Sequence, residues 1–171
     1  MGTDNWDQRF VGLAHTVAQW SKDPSVKVGA VIVNPKNRAV VSLGFNGFPR
    51  NVADNLTANG SRYERPVKYI YTEHAERNAI YNAARLGHST EGCTLYLNWA
   101  PDNVCADCAR AIIQAGISVV YGSTTQMRMS SAAPGSWHEG TVLAAAMLRE
   151  AGVIATVVQG TKVGKDVHGR T

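Results

Sequence analysis

Residues 93–121 read CTLYLNWAPDNVCADCARAIIQAGISVVY, and the reading of this stretch decides the fold class. Cys93 to Leu97 is a short β-rich run. Cys105 to Ala115 carries apolar residues at helical spacing and is closed by Gly116, and Ile117 to Tyr121 is β-rich again. A strand, a helix and a second strand in that order predict a parallel pair joined by a right-handed crossover.

Downstream, a polar loop from Gly122 leads to Ser136-Trp137-His138-Glu139, a capping-box pattern that opens a helix through Ala151, and Val153 to Val158 reads as the last strand. Upstream, Thr72 is placed to cap a helix with the small packing face Ala75, Ala79, Ile80, Ala83 and Ala84, ended by Gly87. Val26 to Val33 and Ala39 to Phe45, joined by the turn residues Asn34 to Arg38, predict an antiparallel hairpin. The first helix runs from an Asp4 cap to about Trp20, with Trp6, Phe10, Leu13, Ala14 and Val17 on its apolar face. The alternation as a whole predicts an α/β sandwich whose later strands are parallel. Asn46 to Tyr71 shows no period and is expected to be a long functional loop. Residues 1–160 read as one domain, and 161–171 as a polar, frayed tail.

A chain of 171 residues with 44% apolar and 18% charged side chains can bury a core, which excludes disorder as the default. The net charge of +4 is a mild lean toward anions that a small phosphorylated ligand satisfies. Apolar runs such as Ala30 to Val33 and Val142 to Leu148 fall short of the roughly 18 residues a spanning helix needs. The first residues lack the charge and apolar pattern of a signal peptide, and Trp6 stands where a myristoylation motif wants Ser or Thr, so a cytoplasmic protein with no membrane partner is expected. Cysteines at 93, 105 and 108 are an odd count containing a Cys-x-x-Cys pair, which suits a reducing compartment and metal or redox chemistry.

His74-Ala75-Glu76 falls in the first turn of one predicted helix, and Cys105-Ala106-Asp107-Cys108 opens the next. Two thiols three residues apart share a helix face, where the positive end of the helix dipole favours thiolate. With His74 they make three ligands, the open arrangement of catalytic zinc, which lowers the pKa of a bound water toward neutrality. Glu76 supplies a proton shuttle beside it. His-x-Glu with a later Pro-Cys-x-x-Cys is the known signature of zinc-dependent deaminases, matched here as a pattern in its His, Glu and two Cys.

Beyond these motifs, the chain carries Ser21-Lys22-Asp23-Pro24, Val28-Gly29-Ala30, Gly44-Phe45-Asn46-Gly47-Phe48-Pro49, Glu73 to Ala79, Cys93-Thr94-Leu95-Tyr96 and Cys108 to Ile117. At these ordered points it resembles the deoxycytidylate (dCMP) deaminase family of the cytidine deaminase superfamily. The resemblance implies a three-layer α/β/α sandwich with a five-stranded mixed sheet, and loss of the 4-amino group of dCMP to give dUMP and ammonia. It implies that His74, Cys105 and Cys108 hold one zinc ion. Glu76 then takes a proton from water, protonates ring N3 and delivers a proton to the departing amine. Asn46 matches an asparagine that contacts the sugar in related deaminases. Ala75, Trp99 and His138 are expected in the substrate pocket, and Lys22, Phe45 and Gly47 at a phosphate or effector. A homo-oligomer, often a hexamer, with activation by dCTP and inhibition by dTTP, is also implied.

Three departures stand out. Pro101 is separated from Cys105 by Asp102-Asn103-Val104 where the family has Pro directly before the first cysteine. That insertion motivates an alternative substrate, a 5-methyl or 5-hydroxymethyl dCMP. Phe45 replaces the tyrosine of Gly-Tyr-Asn-Gly, and residues 46–71 contain no Cys or His for a second zinc. Cys93 is expected in the core, and His15, His88 and His168 are not needed for metal. Lys22, Arg50, Arg62, Arg65 and Arg128 could meet phosphates, although each alone reads as a solvated charge. A nucleic-acid-editing deaminase and a structural zinc module complete the alternatives. Against them stand the missing basic, aromatic-interleaved stripe and the missing fourth ligand.

Overall fold

The computed structural model describes residues 5–54, 56–57, 60–123 and 137–158; the side chains of 56, 57, 60, 137 and 138 lie outside that description. In chain order the elements are α1 (Trp6–Ala18), β1 (Gly29–Asn34), β2 (Ala39–Phe45), the two-residue pair β3 (Leu56–Thr57) and β4 (Gly60–Ser61), α2 (Lys68–Tyr71) and α3 (Ala75–Arg85). There follow β5 (Thr94–Leu97), a 3-10 turn (Pro101–Asn103), α4 (Ala106–Gln114), β6 (Val119–Gly122), α5 (Trp137–Glu150) and β7 (Ile154–Val157).

The main sheet has the order β2-β1-β5-β6-β7. β1 is antiparallel to both β2 and β5, with Val31 opposite Leu43 on one side and Tyr96 on the other. β5–β6 and β6–β7 are parallel, pairing Leu95 with Val120 and Val120 with Ala155. The stretch that decided the fold class is thus a strand-helix-strand crossover, with Gly116 (φ 70°) taking the left-handed conformation just past the end of α4.

Alternation along β1 and β5 divides the core. Ala30, Ile32, Leu95 and Leu97 face Ala75 and Ala79 of α3, Ile112 of α4, and Ala144 and Leu148 of α5. Val31, Val33 and Tyr96 face Phe10, Val11, Ala14 and Val17 of α1. Helices on both faces of a mixed sheet make the expected three layers. A bulge between Ile32 and Val33 skips Val41 in the β1–β2 ladder. Gly44 lets α3 lie directly on β2, since a Cβ there would overlap the Ala75 carbonyl oxygen and sit 2.9 Å from Ala79 Cα.

Several boundaries differ from expectation. Asn5 caps α1 through its side chain, which accepts from Gln8 N at 3.2 Å, whereas Asp4 lies outside the described residues. Thr72 is the C-cap of α2, and His74 is the N-cap of α3. The long loop contains β3, β4 and α2, elements of two to four residues that are too short to display a period. Val26 to Val28 precede β1 as an irregular segment whose Val26 and Val28 amides donate to the Asp23 and Asn46 side chains. Ser136, Arg128, His168 and the 161–171 tail lie outside the described residues.

Candidate metal and catalytic site

His74 and Cys105 are the N-caps of α3 and α4, both with extended backbone (φ −79°, ψ 154° and φ −78°, ψ 165°). An N-cap residue lies just outside the helical spiral, so its side chain is offered at the helix mouth. The order β1-β5-β6 puts these two mouths together. His74 Nδ1 lies 3.3 Å from Cys105 Sγ and 3.4 Å from Cys108 Sγ. The three donor atoms all lie within 4.8 Å of one another. A tetrahedral ion with Zn–S about 2.3 Å and Zn–N about 2.0–2.1 Å sets an N···S edge of about 3.6 Å. The donor set fits zinc in chemistry and in spacing.

Electrostatics favour the same conclusion. Cys105 is brought down to about 4 by the Cys108 hydrogen bond and by His74, against the opposing effect of burial. Cys108 N also donates to Cys105 Sγ at 3.4 Å. The Cys108 thiol is pushed up by its hydrogen bond to Cys105 and by burial, so the two sulfurs together keep one proton that a metal would displace. Burial lowers the His74 pKa, yet the Cys105 hydrogen bond and the charges of Glu76 and Cys105 carry it above the ordinary histidine value. Glu76 is 1% exposed, and neither carboxylate oxygen has a partner. Burial raises its pKa, with His74 opposing. A buried carboxyl without protein partners is costly in a merely structural role.

The sequence reading missed the scaffold around this site. Gly47 and Glu73 exchange two backbone hydrogen bonds, of 3.0 and 2.8 Å, fixing the residue before His74 to the end of β2. Glu73 Oε1 accepts from His74 N at 3.0 Å and pairs with Arg77 Nε at 2.5 Å. Arg77 in turn reaches Asp107 at 3.7 Å, and Asp107 pairs with Arg110, so an ion chain spans α3 and α4. Charged residues at helical spacing are ordinary surface features in a sequence; only the meeting of the two helices shows the link.

The expected site residues divide. His74, Ala75, Glu76, Cys105 and Cys108 come together at the helix mouths. Trp99 is 7% exposed, and its indole Nε1 has no partner. Asn46 is buried and its amide is engaged by the scaffold: Oδ1 accepts from Val28 N at 2.8 Å, and Nδ2 donates to Val26 O at 2.9 Å and Asp23 Oδ2 at 3.4 Å. Gly47 acts through the backbone pairing with Glu73. Lys22 is exposed and pairs with Asp54 at 2.7 Å. Phe45, exposed, meets Trp20 edge-on at 6.1 Å. The His138 side chain lies outside the described residues. Arg50 donates to Asn82, Arg62 to the Ala53 carbonyl, and Arg65 lies over the Tyr69 ring. Cys93 is buried in the core, apart from the donor group. Among the described residues no helix is long and apolar enough to cross a membrane.

An unpartnered buried carboxyl beside a His-Cys-Cys donor set, on an α/β/α sandwich, is the arrangement of side chains that zinc-dependent hydrolytic enzymes use. Comparison with known proteins narrows the class. The model of the cytidine and deoxycytidylate deaminase zinc-binding region matches residues 4–124, and the chain belongs to that family. An uncharacterized deaminase of the luxG 3′ region of Aliivibrio fischeri is 47% identical over 116 residues, 68% of this chain and 71% of that protein. The deoxycytidylate deaminase of Mus musculus is 42% identical over 117 residues, 67% of this chain and 62% of the mouse protein. The match thus spans less than two thirds of that relative. The crystal structure of dCMP deaminase from cyanophage S-TIM5 in complex with dCMP and dUMP superposes with a TM-score of 0.68 at 25% identity, covering 92% of this chain and 100% of that one.

Proposed function

We propose that this protein catalyses the hydrolytic deamination of dCMP to dUMP and ammonia. The observation that carries the reading is Glu76, fully buried, both oxygens unpartnered, beside His74, Cys105 and Cys108. The similarity to deoxycytidylate deaminases supports the choice of substrate.

When bound by these three side chains, zinc supplies Lewis-acid activation of water at neutral pH. Glu76 does the proton work. It accepts a proton from the attacking water and passes it to ring N3, and the water oxygen adds to C4. It then carries the second water proton to the 4-amino group, the C4–N bond breaks, and ammonia leaves. Burial raises its pKa toward the working pH, which suits a group that must both take and give a proton. Ala75, buried against β2, begins α3 directly after His74, and the buried Trp99, whose indole Nε1 has no partner, is assigned to the substrate pocket in this reading.

The reading extends to residues 1–160 as one deaminase domain and to a cytoplasmic homo-oligomer, hexameric in the family it resembles, with dCTP and dTTP as effectors. Exposed Tyr69 and Ile70 on α2 (56% and 84%) support association between chains. Phosphate and effector roles stay assigned to Lys22, Phe45 and Gly47, with His138 at the substrate.

Ammonia release from dCMP by zinc-loaded protein, with Glu76→Gln as the comparison, tests the reaction. The variant is expected to keep its zinc and to lose on the order of 10²–10⁴ in turnover. Equal turnover in both would refute the role of Glu76, and no turnover by the zinc-loaded parent would refute the choice of substrate.

A further inference from the structure

Two buried donors without acceptors lie on one connection, the segment between β5 and α4. Trp99 and Asn103 are each 7% exposed, and neither Trp99 Nε1 nor Asn103 Nδ2 has a hydrogen-bond partner. Both groups can only donate. The surrounding turn is firmly built: Asn103 N donates to Ala100 O at 3.0 Å and Val104 N to Pro101 O at 3.2 Å, while Val104 is 1% exposed in the core. Pro101 packs against Gly122, where a Cβ would come 2.8 Å from its nitrogen. Such a turn holds its side chains in place rather than letting them swing out to water. Folded proteins rarely leave a buried amide donor unmatched.

Chain geometry limits how far this donor lies from the metal donors. Asn103 is two residues before Cys105, so their Cα atoms are at most about 7 Å apart. In the first turn of α3, next to His74, Glu76 presents two unpartnered acceptors. The polarity is therefore divided, with acceptors from α3 and donors from the β5–α4 connection. A ligand that answers both presents proton-bearing nitrogen to one side and acceptor oxygen to the other. A pyrimidine nucleotide has that pattern, with its amine, its ring carbonyl and its phosphate.

We propose that Asn103, inside the Asp102-Asn103-Val104 insertion, contacts the substrate and helps set its specificity by donating from Nδ2 to an acceptor oxygen of the bound pyrimidine nucleotide. The inference rests on the nucleotide reading given above and deepens it.

Asn103→Leu keeps the branching and approximate size of the side chain while removing the donor. Deleting a buried unmatched amide does not weaken the free chain. The zinc-loaded variant is thus expected to melt no lower than the parent and to retain its zinc. Its kcat/KM for dCMP should fall by roughly tenfold or more, and dUMP should raise its melting temperature less than the parent's. Asn103→Asp, nearly isosteric but offering an acceptor, should show the same loss. Deoxycytidine separates the two oxygens. An equal fold-loss on deoxycytidine and dCMP supports the ring carbonyl as acceptor, and a loss confined to dCMP supports the phosphate.

Unchanged kcat/KM and unchanged dUMP stabilisation in Asn103→Leu would overturn the proposal. So would losses in both variants that track a lowered melting temperature or lost zinc, since they would mark a structural residue. A parent protein inactive on dCMP refutes the reaction instead, while the comparison of dUMP stabilisation between parent and Asn103→Leu still decides the contact.

Discussion

Replacing Lys68 by Met removes the cation of a buried ion pair that lies outside the chemistry but beneath it. Lys68 is 6% exposed and Asp23 1% exposed. Lys68 Nζ reaches both Asp23 oxygens, at 2.8 and 2.7 Å, and Ser25 Oγ at 2.5 Å. Asp23 also accepts from Asn46, whose backbone carbonyl receives Ser21 Oγ at 2.7 Å and whose neighbour Gly47 is paired to Glu73. The pair thus ties α2 and the segment before β1 to the residue that precedes His74.

Removing one partner of a buried pair costs about 3–5 kcal/mol. Asp23 would keep Ser25 N at 2.8 Å, Ser25 Oγ at 2.9 Å and Val26 N at 3.1 Å, which places Lys68→Met near the lower end. About 3 kcal/mol, at about 2–4 °C per kcal/mol for a chain of this size, is a fall of about 6–12 °C in Tm at pH 7. The pH dependence follows from Asp23. Burial raises its pKa, but the hydrogen bonds from Lys68, Ser25 and Val26 together hold it below the ordinary carboxylate value. Its ionised form therefore contributes stability above the unfolded-state value, and that contribution is lost as pH falls through the folded-state value. Without Lys68, Asp23 takes up its proton at higher pH, so the gap between parent and variant should narrow as pH drops into the carboxylate range. Thermal melts by circular dichroism from pH 7 to pH 4 measure both quantities. A fall under about 2 °C at pH 7, or a gap that stays constant with pH, would refute the reasoning.

Two further perturbations address the metal site. Gly44→Ala would drive a methyl group into the first turn of α3, and such overpacking costs about 1–3 kcal/mol; because that turn follows His74, zinc content by elemental analysis should fall together with Tm, and a variant that matches the parent in both would show that α3 has room to move. Cys108→Ser should abolish stable zinc retention on dialysis, while the parent should release protons as it takes up zinc and bind it more tightly as pH rises, because the metal displaces the proton that the two thiols share. Zinc uptake without proton release, followed with a pH indicator, would contradict that account.

Much of the fold was legible from local pattern. The small and apolar spacing of α3 and α4, the β-rich runs and the turn Asn34 to Arg38 are covalently local signals, and the elements fall where those signals lie, to within a few residues at their ends. The ends shifted where capping decided them. His74 reads as first-turn from its spacing, but its extended backbone makes it the N-cap, and the Thr72 hydroxyl does not open the helix. The short β3, β4 and α2 carry no period because a period needs more than one turn or a few alternations to register. Asn46 shows the same limit in a side chain: its type and position suggest a ligand contact, and its hydrogen bonds to residues 23, 26 and 28, set by how the chain folds back over β1, leave no trace in the local sequence.

What the sequence determined by itself is the candidate metal-donor set, the neighbouring acid and the order of the longer strands and helices, because each rests on spacings of two to four residues that covalent geometry converts directly into a face or a helix mouth. What only the tertiary structure decided is everything that joins distant positions. His74 meets Cys105 across 31 residues because β5 inserts between β1 and β6. Lys68 finds Asp23 across 45 residues, and Trp99 and Asn103 are left as buried donors. Burial and partnership depend on which surfaces pack together, and packing is settled by the summed fit of the whole core, a quantity no short window of sequence contains.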